Sequence, residues 1–223
     1  HVFNGKKCDG FLETGLYLPA EIDGDRGLFC LGLHLNSDMA IFWGKDVWGY
    51  PKKLAKIKIY YDGEEDFVLW EERRGIPFYS AFAKLDGKPN EPDFEEKFEK
   101  VSAFAPQHPG CGVNLTVKWA NGKHDTGEPG NLFIHKPFIV VEYDKVLKEL
   151  APGKIGSVDL KLLWSDDDPW AEMPIKRVLG CSLDNYDYVM YGDYKCVEIT
   201  DEKAIEKMAF YGYDYGSGHS IDF

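Results

Sequence analysis

Long apolar runs and targeting signals are missing from this sequence. No stretch approaches the roughly 18 consecutive apolar residues that a membrane-spanning helix needs. The first residues also lack the basic region followed by an apolar run that is typical of a secretory signal. We therefore predict that a membrane is not a partner of this protein.

Cysteine and positive charge are also scarce. The five cysteines cannot all pair within one chain, and their spacing matches neither a disulfide framework nor a CxxC metal knuckle. We therefore expect reduced thiols in a cytoplasmic protein and no metal site. The 26 lysines and arginines are outnumbered by 38 aspartates and glutamates, which gives a net charge of −12. This balance opposes contact with a phosphate backbone. We therefore predict that nucleic acid is not a partner.

The composition is that of one folded domain. With 223 residues, of which 44% are hydrophobic and 15% aromatic, the chain is long enough to bury a large core and far from the composition of a disordered protein. We predict a single domain over residues 1–223. Its glycine- and tyrosine-rich end, residues 208–223, is predicted to be a flexible tail or an assembly contact.

Most of the chain has the pattern of β-strands. Short β-rich runs at Lys56–Tyr61 and 67–72 flank Asp62-Gly63, which is a strong local signal for a hairpin. Many strands with few helices predict a mainly β fold, an antiparallel barrel or sandwich with an interior that can hold a small ligand. Further strands are predicted at 27–36, 76–85, 113–120, 132–143, 157–164 and 186–199, and short helices at 93–101, 144–150 and 201–208.

Two adjacent lysines, Lys52 and Lys53, follow a proline in an aromatic stretch and are the strongest functional signal in the chain. To attack a carbonyl carbon a lysine must lose its proton, which requires its pKa to fall from about 10.4 to roughly 6–7. Repulsion from an ammonium about 7 Å away lowers a pKa by less than about two units, whereas burial can lower it by about 3–5 units. We therefore expect desolvation to be the larger cause. The aromatic candidates for the apolar wall are Phe42, Trp43, Trp48 and Tyr50.

These polar patterns also have ordinary explanations. Two lysines after a proline are most often a solvated turn without chemistry. The three aspartates at 166–168 are likewise predicted to be a solvated turn, because they lack the spaced ligands of a calcium loop. His108 and Cys111 are close in sequence, but proximity does not establish the geometry of a Cys–His nucleophile.

The lysine pair belongs to the run Gly-Tyr-Pro-Lys-Lys-Leu at 49–54, which resembles the active-site lysine motif of the acetoacetate decarboxylase family. The resemblance extends over most of residues 8–200, and its most specific part is the lysine motif together with a glutamate upstream. It implies the mainly β fold of that family. The other matching stretches are 13–15, 27–36, 39–44, 168–176 and 196–199.

Matching the motif residue by residue gives four candidate site residues. The resemblance implies that Lys52 is the Schiff-base nucleophile, Lys53 its cationic neighbour and Glu13 the active-site carboxylate. Tyr50 is implied to line the substrate pocket. The family's N-terminal segment, which contributes an arginine and a second glutamate, has no counterpart here. We therefore expect a domain that lacks its N-terminal part, and we expect the helical stretch at 93–101 to be an insertion.

The resemblance implies a lyase that uses a lysine Schiff base to decarboxylate a β-keto acid such as acetoacetate to a ketone and CO2, without a cofactor. The alternatives are a Schiff-base aldolase or dehydratase acting on 2-oxo acids, and a non-catalytic β-barrel that binds small carbonyl compounds. The implied partners are a small-molecule keto acid and further copies of the chain, since the family forms homo-oligomers.

Overall fold

In the computed structural model, strands dominate the described residues and helices are few and short, which confirms the mainly β fold predicted from the sequence. The helices are α1 (Asp38–Phe42), α2 (Phe94–Ser102) and a 3-10 turn at Pro169–Glu172. The structure describes residues 2–3, 6–7, 10–22, 25–42, 44–45, 50–102, 113–120, 131–142, 154–184 and 187–199.

Strands occur along the whole described chain and are numbered here in sequence order. The first half contains β1 (Val2–Phe3), β2 (Lys6–Lys7), β3 (Glu13–Ile22), β4 (Asp25–Leu35), β5 (Lys52–Leu54), β6 (Lys56–Tyr61), β7 (Asp66–Arg73) and β8 (Ile76–Lys84). The second half contains β9 (Val113–Ala120), β10 (Asn131–Glu142), β11 (Lys154–Leu162), β12 (Cys181–Leu183) and β13 (Asp187–Ile199).

The first sheet carries the lysine motif. Its strands have the order β13-β10-β9-β4-β3, and the short strand β5 pairs with β4 beside this path. Strands β3 and β4 form an antiparallel hairpin, whereas β4 is parallel to both β5 and β9. A parallel neighbour requires a crossover connection, and residues 36–51, which include α1, supply it between β4 and β5. The sheet is therefore mainly antiparallel, with two parallel contacts to β4, one of which is at the lysine motif.

The second sheet is antiparallel throughout its described pairs and has the order β12-β11-β8-β7-β6. Its β6–β7 hairpin turns at Asp62-Gly63, as predicted. Asp62 Oδ1 accepts hydrogen bonds from the backbone N–H groups of Glu64, Glu65 and Asp66 at 2.8, 3.0 and 3.1 Å. Gly63 has a φ of +90°, a conformation that favours glycine. The local turn chemistry thus explains why the hairpin was readable from the sequence.

An apolar cluster lies on one face of β4 and beneath α1. Cys30, Leu33 and Leu35 of β4 pack with Ala40 of α1 and with Tyr50, and all five are buried. Because successive strand residues point to opposite faces, Leu33 and Leu35 share one face of the sheet. This cluster fixes the position of the segment that leads into β5.

The remaining predictions fall partly outside the described residues. Helix α2 confirms the helix predicted at 93–101, within one residue at each end. The helices predicted at 144–150 and 201–208, the tail at 208–223, and His108 and Cys111 lie outside the residues that the structure describes. Over the described ranges, no helix is both long enough and apolar enough to cross a membrane.

Candidate active site

The two lysines of β5 lie on opposite faces of the first sheet. Lys52 is the Cα partner of Leu33 in β4, and Lys53 is the partner of His34. Side chains alternate along a strand, so the two ammonium groups are directed to different sides. Glu13 lies on the Lys52 side, because it pairs with Leu35, which shares a face with Leu33. The structure therefore separates the two lysines that are adjacent in the sequence.

We call the face of the first sheet that carries Lys52 and Glu13 the front face. There, Lys52 and Glu13 form an ion pair. Lys52 Nζ donates to Glu13 Oε2 at 2.9 Å, and the side chains are 10% and 31% exposed. The Lys52 ammonium also lies 5.7 Å from the ring centre of Phe11 and 5.8 Å from that of Tyr50, distances at which a cation is attracted to an aromatic face. Three of the four predicted site residues are thus brought together.

Gly44 shapes the path of the Lys52 side chain. A Cβ atom at Gly44 would lie only 2.1 Å from Cε and 2.3 Å from Cδ of Lys52, so the lysine stem passes directly over the glycine. The Gly44 carbonyl also accepts the backbone N–H of Tyr50 at 3.0 Å. Glycine at this position therefore permits the close approach of the connection to β5.

The aromatic wall differs from the one predicted. Tyr50 is buried, as expected of a pocket residue, but Phe42 is 58% exposed and the prediction for it was wrong. Helix α1 directs Ala40 into the core, and this leaves Phe42 on the solvent side. Phe11, which the sequence reasoning missed, contacts the lysine instead. Trp43 and Trp48 lie outside the described residues.

The half-buried phenol of Tyr17 and the buried thiol of Cys30 flank this front-face site. Burial raises the pKa of the Cys30 thiol to about 12, and the nearby Glu13 charge adds to the rise. Burial also raises the pKa of Tyr17 well above its usual range, with further contributions from Cys30, Tyr50 and Glu13. Both groups are therefore uncharged at neutral pH, and Cys30 is not a thiolate nucleophile.

We call the opposite face of the first sheet, which carries Lys53 and His34, the rear face. On this face, the His34 side chain lies between two carboxylates. Its Nε2 is 2.9 Å from Asp168 Oδ1, and its Nδ1 is 3.1 Å from Glu71 Oε1. All three side chains are at most 1% exposed. The contact between His34 and Glu71 is close enough for an ion pair, but its geometry is not that of a hydrogen bond. Among the described residues, neither carboxylate oxygen of Glu71 has a hydrogen-bond donor. The sequence reasoning did not identify this group.

Asp168 also binds the second lysine of the motif. Lys53 Nζ donates to Asp168 Oδ1 at 2.9 Å and to the backbone oxygen of Asp167 at 2.8 Å. On the other side of the carboxylate, Arg73 Nη1 lies 3.4 Å from Asp168 Oδ2. Lys53 is therefore bound on the rear face by a carboxylate that also contacts His34 and Arg73.

Aromatic side chains close the rear-face group. The rings of Trp170 and Phe78 have their centres 4.8 and 4.9 Å from that of His34. Gly32 makes room for the indole, since a Cβ atom there would lie 2.7 Å from Trp170 Nε1. The charged groups are thus enclosed between the two sheets by apolar surface.

The contacts within this group shift two pKa values in opposite directions. Burial acts to raise the pKa of Asp168, but the hydrogen bond and charge of His34 and the charge of Lys53 outweigh it and hold the pKa well below its usual range. Burial acts to lower the pKa of His34, but its contacts with Asp168 and Glu71 outweigh it and raise the pKa. The two shifts favour the protonated form of the imidazole and the ionised form of the carboxylate.

The prediction of a solvated turn at 166–168 was therefore wrong for Asp168, which is 1% exposed. Its partners lie far away in the sequence, so local composition could not reveal them. The two nitrogens of His34 face different carboxylates. In the described part of the chain, no group of three or more His, Cys, Asp or Glu residues is arranged to hold a metal ion.

The fold is shared with solved structures. It matches the crystal structure of acetoacetate decarboxylase from Legionella pneumophila with a TM-score of 0.60, at 19% identity, over 82% of this chain and 68% of that chain. It also matches the enduracididine biosynthesis enzyme MppR complexed with pyruvate, with a TM-score of 0.56 at 14% identity, over 86% and 67% of the two chains. The protein therefore belongs to the structural class of acetoacetate decarboxylase-like folds.

The sequence comparisons narrow this class to a family. The family model described as acetoacetate decarboxylase (ADC) matches residues 3–195, and the chain belongs to this family. It is 39% identical over 92 residues to an acetoacetate decarboxylase of Burkholderia mallei, covering 41% of this chain and 36% of that protein. It is also 39% identical over 54 residues to acetoacetate decarboxylase 3 of Mesorhizobium japonicum, covering 24% and 21%. These matched segments span about a third and a fifth of the two relatives.

Proposed function

We propose that the chain is a lyase in which the amine of Lys52 forms a Schiff base with a β-keto acid such as acetoacetate and releases CO2. The observation that supports this most is the 2.9 Å contact between Lys52 Nζ and Glu13 Oε2, at the position of the family's lysine motif. A carboxylate within hydrogen-bonding distance of the amine can accept and return protons, as the addition and dehydration steps of imine formation require.

The reaction divides into steps that this pair can carry. Glu13 takes a proton from Lys52, and the free amine adds to the ketone carbon. One of the remaining amine protons then moves to the ketone oxygen, which gives a carbinolamine with a hydroxyl group. Protonated Glu13 then returns its proton to the departing hydroxyl, which leaves as water and gives a protonated imine. The carbon–carbon bond to the carboxylate breaks, and its electron pair moves to the imine as CO2 leaves, which yields a neutral enamine. Protonation of the enamine carbon and hydrolysis release the ketone and regenerate Lys52.

The surroundings of Lys52 suit the carbon–carbon cleavage. In this step a carboxylate and a protonated imine become two uncharged species, so a weakly polar environment favours the products over the charged reactant. The rings of Phe11 and Tyr50 supply such surroundings beside the amine. Tyr17 and Cys30 add polar groups that carry no charge at neutral pH.

A second candidate keeps Lys52 as the nucleophile and changes the reaction. The similar structure of MppR contains pyruvate, which makes 2-oxo acids the alternative substrate class. The imine would then serve an aldol, dehydration or cyclisation step, and no CO2 would be released. Product analysis separates the two reactions.

Trapping the imine tests both candidates. The protein is incubated with acetoacetate or with pyruvate, reduced with borohydride and mapped by peptide mass spectrometry while CO2 is measured. An adduct on Lys52 together with CO2 from acetoacetate supports the decarboxylase. An adduct with pyruvate but no CO2 from acetoacetate supports the second candidate. The absence of any Lys52 adduct would contradict both and favour a non-catalytic protein that binds small carbonyl compounds.

Matched lysine variants make this test specific. Lys52→Arg should abolish both the adduct and turnover, because a guanidinium does not form the imine. Lys58→Arg is the control, since Lys58 is exposed and its ammonium lies over the Trp70 ring at 5.2 Å, away from the candidate site. Full turnover in Lys52→Arg would overturn the proposal.

A further inference from the structure

Strand β5, which carries Lys52, pairs with its neighbouring strand over only a short stretch of backbone. Strand β5 contains three residues, and its three Cα pairs with β4 involve Lys52, Lys53 and Leu54. A long strand is fixed mainly by many ladder hydrogen bonds, but a strand of this length depends more on side-chain contacts. On the rear face, Lys53 supplies such contacts by donating to Asp168 Oδ1 at 2.9 Å and to the Asp167 carbonyl at 2.8 Å.

The carboxylate that holds Lys53 is itself held from two other elements. His34, in the neighbouring strand β4, contacts the same Oδ1 atom of Asp168 at 2.9 Å. Arg73, at the end of β7 in the second sheet, approaches Oδ2 at 3.4 Å. Asp168 therefore joins β5 to its neighbouring strand and to the other sheet, so that movement of β5 would separate buried opposite charges.

The position of His34 is fixed on its remaining sides. Glu71 of β7 faces Nδ1 at 3.1 Å, and the rings of Trp170 and Phe78 contact the imidazole. Close-packed protein interiors transmit small displacements rather than absorbing them. The chain of contacts from the second sheet through His34 and Asp168 thus ends at the rear of β5.

We propose that His34 and Asp168 are positioning residues for Lys52 and act through Lys53. The inference rests on the proposed role of Lys52 as the nucleophile. With Lys53 fixed on the rear face, the alternation of β5 directs Lys52 to the front face, where its amine meets Glu13. Lys53, His34 and Asp168 lie on the face of the sheet opposite to Lys52 and Glu13, and so away from the proposed substrate site. Their contribution is to the place and orientation of the amine, where a misplacement of about 1 Å can cost about a hundredfold in rate.

The test measures the amines directly with acetaldehyde and borohydride, so it does not depend on which keto acid is the substrate. Peptide mass spectrometry gives the rate of modification of Lys52 and Lys53 relative to exposed Lys58 in the native protein. In the unaltered chain we expect Lys52 to be modified preferentially and Lys53 to be protected. In Asp168→Asn we expect the preference for Lys52 to fall about tenfold and the protection of Lys53 to be lost.

A further variant, Lys53→Met, keeps the proposal testable if Asp168→Asn does not fold. Lys53→Met removes the ammonium while Asp168 retains His34 and Arg73, and it should lower the Lys52 preference to the same extent. The matched control is Asp166→Asn, because Asp166 lies in the same run, is exposed and contacts Trp164 Nε1 at 2.9 Å. It should leave the preference unchanged.

Substitutions at His34 distinguish positioning from a general loss of stability. His34→Gln keeps a donor for Asp168 and should retain most of the Lys52 preference, whereas His34→Leu should lose it. Variants that unfold at lower temperature but keep the Lys52 preference would overturn the positioning role. If Lys52 in the unaltered chain is modified no faster than Lys58, the nucleophile assignment fails, and the positioning role fails with it.

Discussion

The imidazole of His34 and the carboxylate of Asp168 are in contact at 2.9 Å although they lie 134 positions apart in the sequence. Both side chains are 1% exposed. Each charge is therefore balanced by protein groups instead of by water, which makes the pair sensitive to pH and to the loss of either partner.

The stability of the protein should depend on pH through this pair. The pKa of His34 is raised in the folded state, so its contribution is complete below the unfolded value of about 6.5 and is lost as the pH rises through the folded pKa. The pKa of Asp168 is lowered, so its contribution is complete above about 3.9 and is lost as the pH falls through the folded pKa. Urea unfolding should therefore show greatest stabilisation from this pair between about pH 4 and 6.5.

The variant His34→Gln checks this assignment. The decrease in the free energy of unfolding above about pH 6.5 should be smaller in His34→Gln than in the unaltered chain, because the titrating group is gone. An identical pH dependence in both proteins would show that other groups cause the decrease.

Removing the rear-face carboxylate should be strongly destabilising. Asp168→Ala leaves Lys53, His34 and Arg73 without their shared partner in a buried site, and we expect the free energy of unfolding to fall by about 3–5 kcal/mol. The control Asp166→Asn should change it by less than about 0.5 kcal/mol, because Asp166 is exposed. Denaturant titrations at pH 6 measure both, and a loss below about 1 kcal/mol in Asp168→Ala would contradict the buried network.

Gly44→Ala should impair the site without unfolding the protein. The new Cβ atom would lie 2.1 Å from Cε of Lys52, and the side chain must move because its atoms are the flexible partners in this clash. We expect imine trapping on Lys52 to slow by about tenfold to a hundredfold, with little change in thermal stability. Gly10→Ala is the control, since no heavy atom lies within 4 Å of its Cβ position. Equal trapping rates in the two variants would contradict the packing of Lys52 on Gly44.

Glu13→Gln tests the proton acceptor beside Lys52. The amide keeps the size of the side chain but cannot take a proton, so we expect the rate of CO2 release to fall by about 10²–10⁴. Glu21 lies in the same strand, is exposed and pairs with Arg26 at 3.1 Å, which makes Glu21→Gln a suitable control. If Glu13→Gln and Glu21→Gln turn over at the same rate, Glu13 is not the proton acceptor.

The sequence predicted those parts of the fold whose causes are local. The hairpin at Asp62-Gly63 was readable because one carboxylate binds three successive backbone N–H groups and a glycine adopts a positive φ. The helix at 93–101 was readable from its amphipathic pattern, and α2 covers nearly the same residues. The parallel placement of β5 beside β4 was not predicted, because it depends on a crossover of residues 36–51.

The candidate site was predicted only on the side that the family motif describes. Lys52, Glu13 and Tyr50 came from the motif, and the structure places them together. His34 and Asp168 were missed because a contact across 134 residues has no local signature. One signal was available for His34, which is a polar residue within the otherwise apolar run Leu-Phe-Cys-Leu-Gly-Leu-His-Leu at 28–35. Because a buried polar side chain requires a hydrogen-bond partner, this pattern indicates that His34 binds a polar residue elsewhere in the fold.

The lysine doublet also specifies the register of β5. If the strand slipped forward by one residue, Lys53 would reach the Glu13 side, but Leu54 would then face Asp168 and leave that buried carboxylate without its ammonium. If it slipped the other way, Lys52 would meet Asp168 and Pro51 would take the place opposite Glu13. Only the observed alignment pairs both Glu13 and Asp168 with a lysine. The two adjacent lysines therefore select one register of β5 against β4.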